Sequence, residues 1–292
     1  MIQSVQIFGV RTFSVKLITL AAPPSITYSR ILDESSVFLA GSLLAIPSAA
    51  YWPKRGLAAN DDIPIWQFGG TWEGAPSEVN WQYNWYSTTT SNKQSFCEYV
   101  PMLWGADSAH TNTWFSDASY WLVDGGSGHL LAFNEPEQSD QSNLTPQEAH
   151  DAYLTYMTPF VGRAQLGAPA VSNDGLAWIT EFMGLCNDSN CGVTFIPVHW
   201  YNNYDQFSDL QNWITDICNL GNGLQVWLTE FEGYGTVDQQ SAFLSQAIPW
   251  LDANDCVYRY AYFGVADPDT ILLENGGPAL SPIGVQYTFS AY

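Results

Sequence analysis

One stretch decides the fold of this chain: LLAFNEPE, residues 130–137, in which a short apolar run ends abruptly in polar residues and a proline. An uninterrupted apolar run is typical of a strand that is buried on both faces, as in a parallel sheet. The same arrangement returns in VWLTEFE, residues 226–232. Each stretch therefore predicts a buried strand that ends at a glutamate, Glu135 in the first and Glu230 in the second.

Apolar or aromatic runs of this kind recur along the chain, and helix-compatible stretches separate many of them. We count eight runs: Arg55–Ala59, Val79–Trp85, Tyr99–Trp104, Leu130–Asn134, Leu166–Ser172, Phe195–Tyr201, Val226–Phe231 and Tyr258–Val265. Plausible helices are Thr113–Val123, Pro146–Val161, Gly175–Cys186, Phe207–Cys218 and Gln239–Asn254, whereas Ser87–Gln94 offers little helix. This alternation predicts an α/β fold, a (β/α)8 TIM barrel in a single domain. A doubly wound open sheet is the alternative, although no glycine-rich phosphate loop follows an early strand.

The composition of the 292-residue chain favours a neutral ligand. Acidic residues number 29 against 8 lysines and arginines, which gives a formal charge of −21. This charge repels nucleic acid, anionic lipid and other acidic polymers. The chain also carries 13 Trp, 16 Tyr and 15 Phe. Aromatic faces stack on sugar rings while amides and carboxylates bind hydroxyl groups, so this mixture suits a carbohydrate ligand, although an aromatic-rich core would explain it as well.

The N-terminal segment is predicted to lie outside the folded domain. Residues 37–50, VFLAGSLLAIPSAA, form an apolar run that ends in small residues, which is typical of a secretory signal with its cleavage site. The run is too short to span a membrane. About 36 residues precede this run. Either the start codon is assigned too far upstream, or these residues form a packed N-terminal extension. We therefore predict a signal-like extension over residues 1–50, one domain over residues 51–292, and a secreted protein of the extracellular space or cell wall.

Five cysteines follow this segment, as expected for a protein that leaves the cell. Cys186 and Cys191 flank a turn-rich loop that a short disulfide can close, and Cys218 then pairs with Cys256 by elimination. Cys97 remains as a buried free thiol. Two N-glycosylation sequons, at Asn143 and Asn187, also agree with secretion.

No metal or cofactor is predicted. The histidines are scattered, and neither a C-x-x-C nor an H-E-x-x-H motif occurs.

The chemistry is expected where the strands end, because parallel strands of a barrel bring their carboxyl ends to one face. Glu135 and Glu230 end the fourth and seventh runs, so they are predicted to meet across that face. Two carboxyl groups in one cleft are typical of glycoside hydrolases. One protonates the leaving oxygen, and the other attacks the anomeric carbon or activates water. The competing interpretation of either glutamate is a helix cap or a surface ion pair.

These residues and several further blocks resemble a known family. The blocks are Asn134-Glu135-Pro136, Trp227-Leu228-Thr229-Glu230-Phe231, Lys54-Arg55-Gly56-Leu57-Ala58, Asn84-Trp85, Val100-Pro101-Met102-Leu103-Trp104-Gly105, His199-Trp200-Tyr201 and Arg259-Tyr260-Ala261-Tyr262-Phe263. Together they resemble the fungal-type glycosyl hydrolase catalytic core, glycoside hydrolase family 128, over residues 54 to about 290.

The resemblance implies a retaining endo-β-1,3-glucanase that acts on laminarin-like or fungal cell-wall glucan. Glu135 matches the general acid/base of the family and Glu230 its nucleophile, and Asn134 matches the residue that binds the 2-hydroxyl of the sugar at the cleavage site. The expected partner is β-1,3-glucan polysaccharide or oligosaccharide, bound by a monomer without nucleic acid.

The supporting residues have two interpretations each. Trp85, Trp104, Trp200 and Tyr201 are predicted as a sugar-stacking wall, with filling of the barrel core as the alternative. His199 is predicted to bind the nucleophile or a sugar hydroxyl, and Tyr262 either to bind the nucleophile or to pack in the core.

Two further carboxylates and one alanine differ from the expected pattern around the site. Glu137 and Glu232 place a second carboxylate beside each catalytic one, and Glu232 stands where the family leads us to expect glycine. Ala59 stands in place of an aromatic residue of the family, which removes one stacking contact.

Two other functions compete with hydrolysis of β-1,3-glucan. A glucan-binding protein could use the same barrel without turnover, and a β-glycanase or transglycosylase of other linkage preference could use the same carboxylates. Release of reducing ends would distinguish an enzyme from a glucan-binding protein. The linkage that an enzyme prefers depends on the shape of its groove.

Overall fold

The computed structural model describes residues 53–90, 92–265 and 272–291. The predicted signal-like extension, residues 1–50, lies outside the described residues. The strands are β1 (Arg55–Ala58), β2 (Thr71–Trp72), β3 (Ala75–Pro76), β4 (Val79–Tyr83), β5 (Glu98–Tyr99), β6 (His129–Leu130), β7 (Gln165–Leu166), β8 (Phe195–Asn203), β9 (Gln225–Tyr234) and β10 (Val257–Tyr262). The α-helices are α1 (Ser108–Thr111), α2 (Trp114–Val123), α3 (Pro146–Tyr156), α4 (Leu176–Ser189), α5 (Phe207–Gly221), α6 (Val237–Ala253) and α7 (Pro282–Phe289). Three short 3₁₀ helices occupy Trp66–Phe68, Thr158–Phe160 and Glu274–Gly276.

The strands form a largely parallel sheet system. Six of them lie in the order β5-β4-β1-β10-β9-β8, and every neighbouring pair in this sheet is parallel. β6 and β7 form a second parallel pair, whereas β2 and β3 form a small antiparallel hairpin. Two isolated parallel bridges extend from the β6–β7 pair toward the six-stranded sheet. Leu131, next to β6, pairs with Met102 beyond β5, and Gly167, next to β7, pairs with Phe195 of β8. The predicted α/β class with parallel strands is confirmed.

Side chains alternate between two packed regions along the long strands. On β9, Val226 and Leu228 belong to the core that packs the strands against the helices, and Trp227 belongs to a separate cluster with Trp81 and Phe195. This alternation is the period-two geometry of a strand buried on both faces. Gly56 shows how tightly the second cluster is packed, since a Cβ atom there would stand 2.1 Å from the Trp81 ring.

The helices begin where the sequence offers caps. Thr145 and Glu148 form a capping box at α3, with Pro146 in the first helical position. Thr236 and Gln239 form the corresponding box at α6. The predicted helices are confirmed within a few residues at their ends. The sequence did not predict the hairpin β2–β3 or the helices α1 and α7, because each is short and lacks a long periodic pattern.

Both predicted disulfides are present. Cys186 and Cys191 have Cα atoms 5.0 Å apart, and those of Cys218 and Cys256 are 6.2 Å apart. The first bridge closes the end of α4, where Asn190 adopts a left-handed conformation, and the second joins α5 to the residue before β10. Cys97 is a buried free thiol, as predicted, and burial raises its pKa to about 12.

The two bridges are expected to differ in their contribution to stability. Removing the Cys218–Cys256 bridge, which spans 38 positions, should lower the free energy of unfolding by about 4 kcal/mol, since a bridge restricts the unfolded chain more as its loop lengthens. Removing Cys186–Cys191, which spans 5, should cost only about 2 kcal/mol. Urea unfolding of the two double-serine variants measures the difference, and an equal or inverted ranking would contradict the loop-length argument.

No helix in the described part of the chain is long and apolar enough to cross a membrane.

Candidate active site

A groove of about 580 Å³ opens where the parallel strands end. It contains both glutamates selected from the sequence, and aromatic and amide side chains surround them. The lining residues are Asn60, Trp85, Tyr86, Trp104, His110, Asn134, Glu135, Gln141, Glu230 and Phe263.

Glu230 lies in the middle of β9, which continues to Tyr234 instead of ending at the glutamate as predicted, and it is 5% exposed. Three side chains donate hydrogen bonds to its carboxylate. The Trp85 indole N–H lies 2.7 Å from Oε1, the Tyr83 hydroxyl lies 3.2 Å from the same oxygen, and the Tyr201 hydroxyl lies 2.6 Å from Oε2. Donors on both oxygens stabilise the anion and fix the plane of the carboxylate.

Glu135 also lines the groove and directly follows Asn134, which forms an isolated parallel bridge beyond β6. Its backbone is left-handed, with φ of 38°, and its N–H donates to the carbonyl of Ala170 at 2.7 Å. A left-handed conformation is unfavourable for a residue with a Cβ atom and is concentrated at functional sites. The turn directs Glu135 into the groove while Asn134 stays paired with Ala170 in a parallel bridge.

The two carboxylates lie close enough to act on one bond. One oxygen of Glu135, one oxygen of Glu230 and a ring nitrogen of His199 all lie within 4.8 Å of one another. Retaining glycosidases hold their two carboxyl groups about 5 to 5.5 Å apart, whereas inverting enzymes need a wider gap for water. Among the described residues, this trio is also the group that could hold a metal ion, since histidine and carboxylate are common metal ligands.

His199 lies between the two glutamates because β8 pairs with β9 in the register that sets His199 opposite Glu230. Its Nδ1 is 2.7 Å from Glu135 Oε1, and its Nε2 is 3.4 Å from Glu230 Oε1. Burial disfavours the charged imidazolium, but the neighbouring Glu230 and Glu135 carboxylates outweigh this effect and raise the pKa of His199 above 6.5.

This raised pKa predicts a stability difference that depends on pH. Because the folded pKa of His199 exceeds its unfolded value, the imidazolium contributes fully to stability below about pH 6.5, and the contribution disappears as the pH rises through the folded pKa. We expect His199→Gln to lower the melting temperature more at about pH 5 than at about pH 9. Thermal unfolding of both proteins at each pH measures this, and an equal loss at the two values would contradict the charge argument.

One end of the groove is formed by residues that follow β5 and β6. Asn134 donates from Nδ2 to Gln141 Oε1 at 3.1 Å, and its buried Oδ1 has no hydrogen-bond partner among the described residues. Beside it, the Trp104 ring lies 4.9 Å from the His110 ring. An aromatic face and a buried amide oxygen together suit a sugar ring with a hydroxyl group to bind.

Two predicted sugar-binding residues lie elsewhere. Trp200 is fully buried, stacks on Phe243 and donates to Asp209 at 2.9 Å, so it packs toward the helices rather than into the groove. Tyr262 is also fully buried, and its hydroxyl donates to Gln240 at 2.5 Å instead of to Glu230. The structure thus places both residues in the core, which was the alternative interpretation of each. Strand geometry explains the outcome, because neighbouring residues face opposite sides and His199 and Tyr201 already occupy the inner side of β8.

The other predicted residues are at the site. Trp85 and Trp104 line the groove, and His199 and Tyr201 bond its carboxylates. Trp85 adopts a left-handed backbone, with φ of 63°, which aims its indole N–H at Glu230.

The two additional carboxylates have structural partners. Glu137 accepts a hydrogen bond from the Ser172 backbone N–H at 2.6 Å, and burial raises its pKa. Glu232 accepts one from the Gln240 side chain at 3.2 Å. Ala59 is buried and borders a smaller cavity of about 260 Å³ next to the groove.

Several groove residues were not selected from the sequence: Asn60, Tyr83, Tyr86, His110, Gln141 and Phe263. A signal was present for Phe263, which directly follows Tyr262 and therefore faces the other side of its strand. Asn60, His110 and Gln141 lie outside the predicted strands, where no periodic pattern indicates which way a side chain points.

Two carboxylates held by hydrogen bonds in an aromatic-lined groove, at the ends of parallel strands, are the arrangement of a glycoside hydrolase. The chain belongs to the glycosyl hydrolase catalytic core family, whose model matches residues 56–287.

Comparison with known proteins agrees with this assignment. A curdlan-specific exo-β-1,3-glucanase of glycoside hydrolase family 128, subgroup III, from Blastomyces gilchristii has 37% sequence identity and a TM-score of 0.70, and the match covers 81% of this chain and 98% of that one. An endo-β-1,3-glucanase of subgroup I from Amycolatopsis mediterranei has 25% identity and a TM-score of 0.68, with 80% and 98% covered. The predicted resemblance to family 128 is confirmed.

A longer relative matches over the same region. Alkali-sensitive linkage protein 1 of Schizosaccharomyces pombe is 34% identical, and the match covers 80% of this chain but 44% of that protein. The chain thus spans less than half the length of this curated relative.

Proposed function

We propose that this protein is a retaining endo-β-1,3-glucanase, with Glu230 as nucleophile and Glu135 as general acid/base. The observation that carries the proposal is the placement of the two carboxylates within 4.8 Å of each other. This spacing leaves no room for a water molecule between the sugar and the attacking group, so it favours double displacement over inversion.

The first step forms a covalent intermediate. Glu230 attacks the anomeric carbon of the sugar while Glu135 gives its proton to the leaving oxygen, and the glycosidic bond breaks as the Glu230 ester forms. The Trp85 and Tyr201 donors hold Glu230 in one orientation before the attack. The 2.7 Å contact with His199 Nδ1 holds the Glu135 carboxyl group in place for this transfer.

The second step returns the enzyme to its starting state. Esterified Glu230 has lost its charge, and Glu135, which gave up its proton in the first step, now acts as the base. Glu135 takes a proton from water, the hydroxide oxygen bonds to the anomeric carbon, and Glu230 leaves as a carboxylate. Asn134, whose Oδ1 lies buried at the groove, is the proposed partner of the 2-hydroxyl of the attacked sugar.

The proposed substrate is β-1,3-glucan. The two solved relatives are described as β-1,3-glucanases, one specific for curdlan and the other bound to laminarihexaose. The aromatic and amide lining of the groove suits a neutral polysaccharide, and the formal charge of −21 disfavours an acidic one.

Exo action is a second candidate, because the relative with 37% identity is an exo-enzyme. We favour endo action because the lining of the groove includes Trp104, His110 and Phe263 in addition to the two carboxylates, which offers contacts to more than one sugar.

A closed (β/α)8 barrel in a single domain, residues 51–292, is the architecture we propose for this site. The parallel bridges on both sides of the β6–β7 pair support it, since they would join that pair to the two outer strands of the six-stranded sheet.

Secretion and a monomeric state belong to the same proposal. Two disulfides support an oxidising compartment, and the sequons at Asn143 and Asn187 are compatible with it. Both asparagines are exposed.

Product analysis tests the function directly. Incubation with laminarin and linear β-1,3-glucan, followed by proton NMR as products appear, should give β-configured oligosaccharides of mixed length. Early α-configured products would contradict retention, and glucose alone would favour exo action. Binding without any released reducing ends would instead identify a glucan-binding protein, and release from β-1,4-glucan alone would identify another linkage preference.

A further inference from the structure

A second cavity, of about 320 Å³, lies between the C-terminal ends of α4 and α5, and its lining comes from residues 183–193 and 220–224. None of the residues that line this helix-end cavity also lines the groove. Because α4 and α5 end shortly before β8 and β9 begin, the cavity lies near the amino ends of these strands, whereas the groove opens near their carboxyl ends. The helix-end cavity is therefore independent of the proposed active site.

Part of the wall of the helix-end cavity is apolar. Met183, Leu220 and Leu224 border it together with the Cys186–Cys191 bridge. Its volume falls in the range of small-ligand pockets, roughly 300 to 1,000 Å³, which are usually lined by apolar groups with a few polar ones.

The polar part of the wall consists of the asparagines Asn187, Asn190 and Asn222. Asn190 and Asn222 have left-handed backbones, with φ of 54° and 45°, at the ends of α4 and α5. All three residues are exposed, and none of their side chains forms a hydrogen bond within the described part of the chain. Free amide groups beside an apolar wall suit a ligand that has hydroxyl groups and an apolar face, such as a sugar residue.

Asn187 is also the acceptor asparagine of the sequon Asn187-Asp188-Ser189. It lies in the last turn of α4, so an N-linked glycan at this position starts at the wall of the helix-end cavity. The second sequon, at Asn143, lies on the loop before α3 and does not line this cavity. The sequon and the cavity are separate observations, and they meet at Asn187.

We propose that Asn187 carries an N-linked glycan and that the first N-acetylglucosamine of this glycan packs in the helix-end cavity. The donor is a lipid-diphosphate-linked oligosaccharide of the secretory compartment. The Asn187 amide nitrogen bonds to C1 of the first sugar and loses one proton, while the bond from C1 to the diphosphate breaks and the lipid diphosphate leaves. The apolar face of the attached sugar then contacts the leucines, and its hydroxyl groups bond Asn190 and Asn222. The assignment rests on the proposed secretion, and it does not depend on the proposed hydrolysis.

The test compares three forms of the full chain secreted by a yeast. Wild type carries the whole glycan, digestion with endoglycosidase H leaves one N-acetylglucosamine, and Asn187→Gln carries none. Mass spectrometry of the glycopeptides should locate a glycan at Asn187. The whole and trimmed forms should melt at the same temperature, and Asn187→Gln should melt about 2 to 4 °C lower, because only the first sugar buries surface against the protein.

A matched pair of proteins separates the effect of the sugar from that of the side-chain change. Wild type and Asn187→Gln made in the bacterial periplasm, which forms disulfides but does not attach this glycan, should melt at the same temperature. We choose substitution of Asn187 over substitution of Ser189, because the Ser189 hydroxyl donates to the Leu185 carbonyl at 3.0 Å and lies 2.8 Å from His150 Nε2.

The outcomes distinguish the parts of the proposal. Secreted wild type without a glycan at Asn187 would overturn it, and a chain retained in the cell without one would overturn it together with the proposed secretion. A trimmed form that melts with Asn187→Gln would show that the first sugar does not pack in the cavity. The same melting difference in the periplasmic pair would assign the effect to the Asn187 side chain and would also overturn the packing. Failure of the proposed hydrolysis changes none of these results, because neither measurement uses activity.

Discussion

Replacement of Glu230 by glutamine is expected to abolish turnover of β-1,3-glucan, with a loss in kcat of roughly 10⁴-fold or more. The amide cannot form the glycosyl ester, so the double displacement has no first step. It also places an N–H₂ group opposite one of two donors, because the Trp85 indole and the Tyr201 hydroxyl bond different oxygens of Glu230. Binding of laminarioligosaccharides should persist, because the groove walls are unchanged. Steady-state kinetics and calorimetric titration measure the two effects.

The control for this variant is the neighbouring carboxylate. Glu232→Gln removes the same charge two positions further along β9, where the side chain bonds Gln240, and should retain turnover within a few-fold of wild type. A variant with a smaller side chain at position 230 tests the role of Glu230 as nucleophile by a gain of activity. Glu230→Ala leaves a space in which azide can attack the anomeric carbon of an aryl glucoside, and the product should be the α-glucosyl azide. Normal turnover by Glu230→Gln would remove Glu230 as nucleophile.

The general class of the fold and most of the strands could be predicted because the apolar runs are long and separated by turn or helix signals. The longest strands, β8 and β9, correspond to Phe195–Tyr201 and Val226–Phe231 in the sequence. The predicted runs Tyr99–Trp104 and Leu166–Ser172 form only two-residue ladders followed by isolated bridges. Apolar composition marks a buried extended segment, but it does not determine how regularly that segment pairs.

The site residues also divide into those that the sequence pattern predicts and those that it does not. Glu135 and Glu230 could be predicted because each follows an apolar run, and His199 because it belongs to a block that resembles the family, although β8 and β9 continue past His199 and Glu230. Trp200 and Tyr262 could not be separated from Tyr201 and Phe263 by residue type, since each pair contains two adjacent aromatic residues on one strand. Only the phase of the alternation decides which member enters the groove, and on β9 that phase changes at Thr229, which the pairing with β8 skips between Leu228 and Glu230.

Residues between the strands were the least predictable part. His110, in the four-residue helix α1, and Gln141 reach the groove from segments whose course depends on packing between distant parts of the chain. The direction of the Glu135 side chain depends on its left-handed backbone conformation. This conformation is uncommon in residues other than glycine, and no local sequence pattern predicts it here.

Replacement of Glu135 by glutamine is expected to affect substrates according to their leaving group. On β-1,3-glucan, whose leaving alkoxide needs a proton, kcat/KM should fall by roughly 10²- to 10⁴-fold. On 2,4-dinitrophenyl β-laminaribioside, whose phenolate leaves without protonation, formation of the glycosyl-enzyme should remain close to the wild-type rate. Breakdown of the ester still needs a base, so the intermediate should accumulate. A burst of dinitrophenolate followed by a slow steady state is therefore the expected kinetic signature.

The burst distinguishes an acid/base from a residue that only holds His199 in place. A purely structural role for Glu135 predicts that both substrates lose rate in the same proportion and that no burst appears, since a displaced His199 would disturb Glu230 in every reaction. Glu137→Gln is the matched control, because it removes a carboxylate two positions away that bonds the Ser172 backbone, and it should show neither leaving-group dependence nor a burst. Intact-protein mass spectrometry of the Glu135→Gln burst phase should also show the added disaccharide, attached at Glu230, because an acid that also serves as base leaves the ester intact when it is removed.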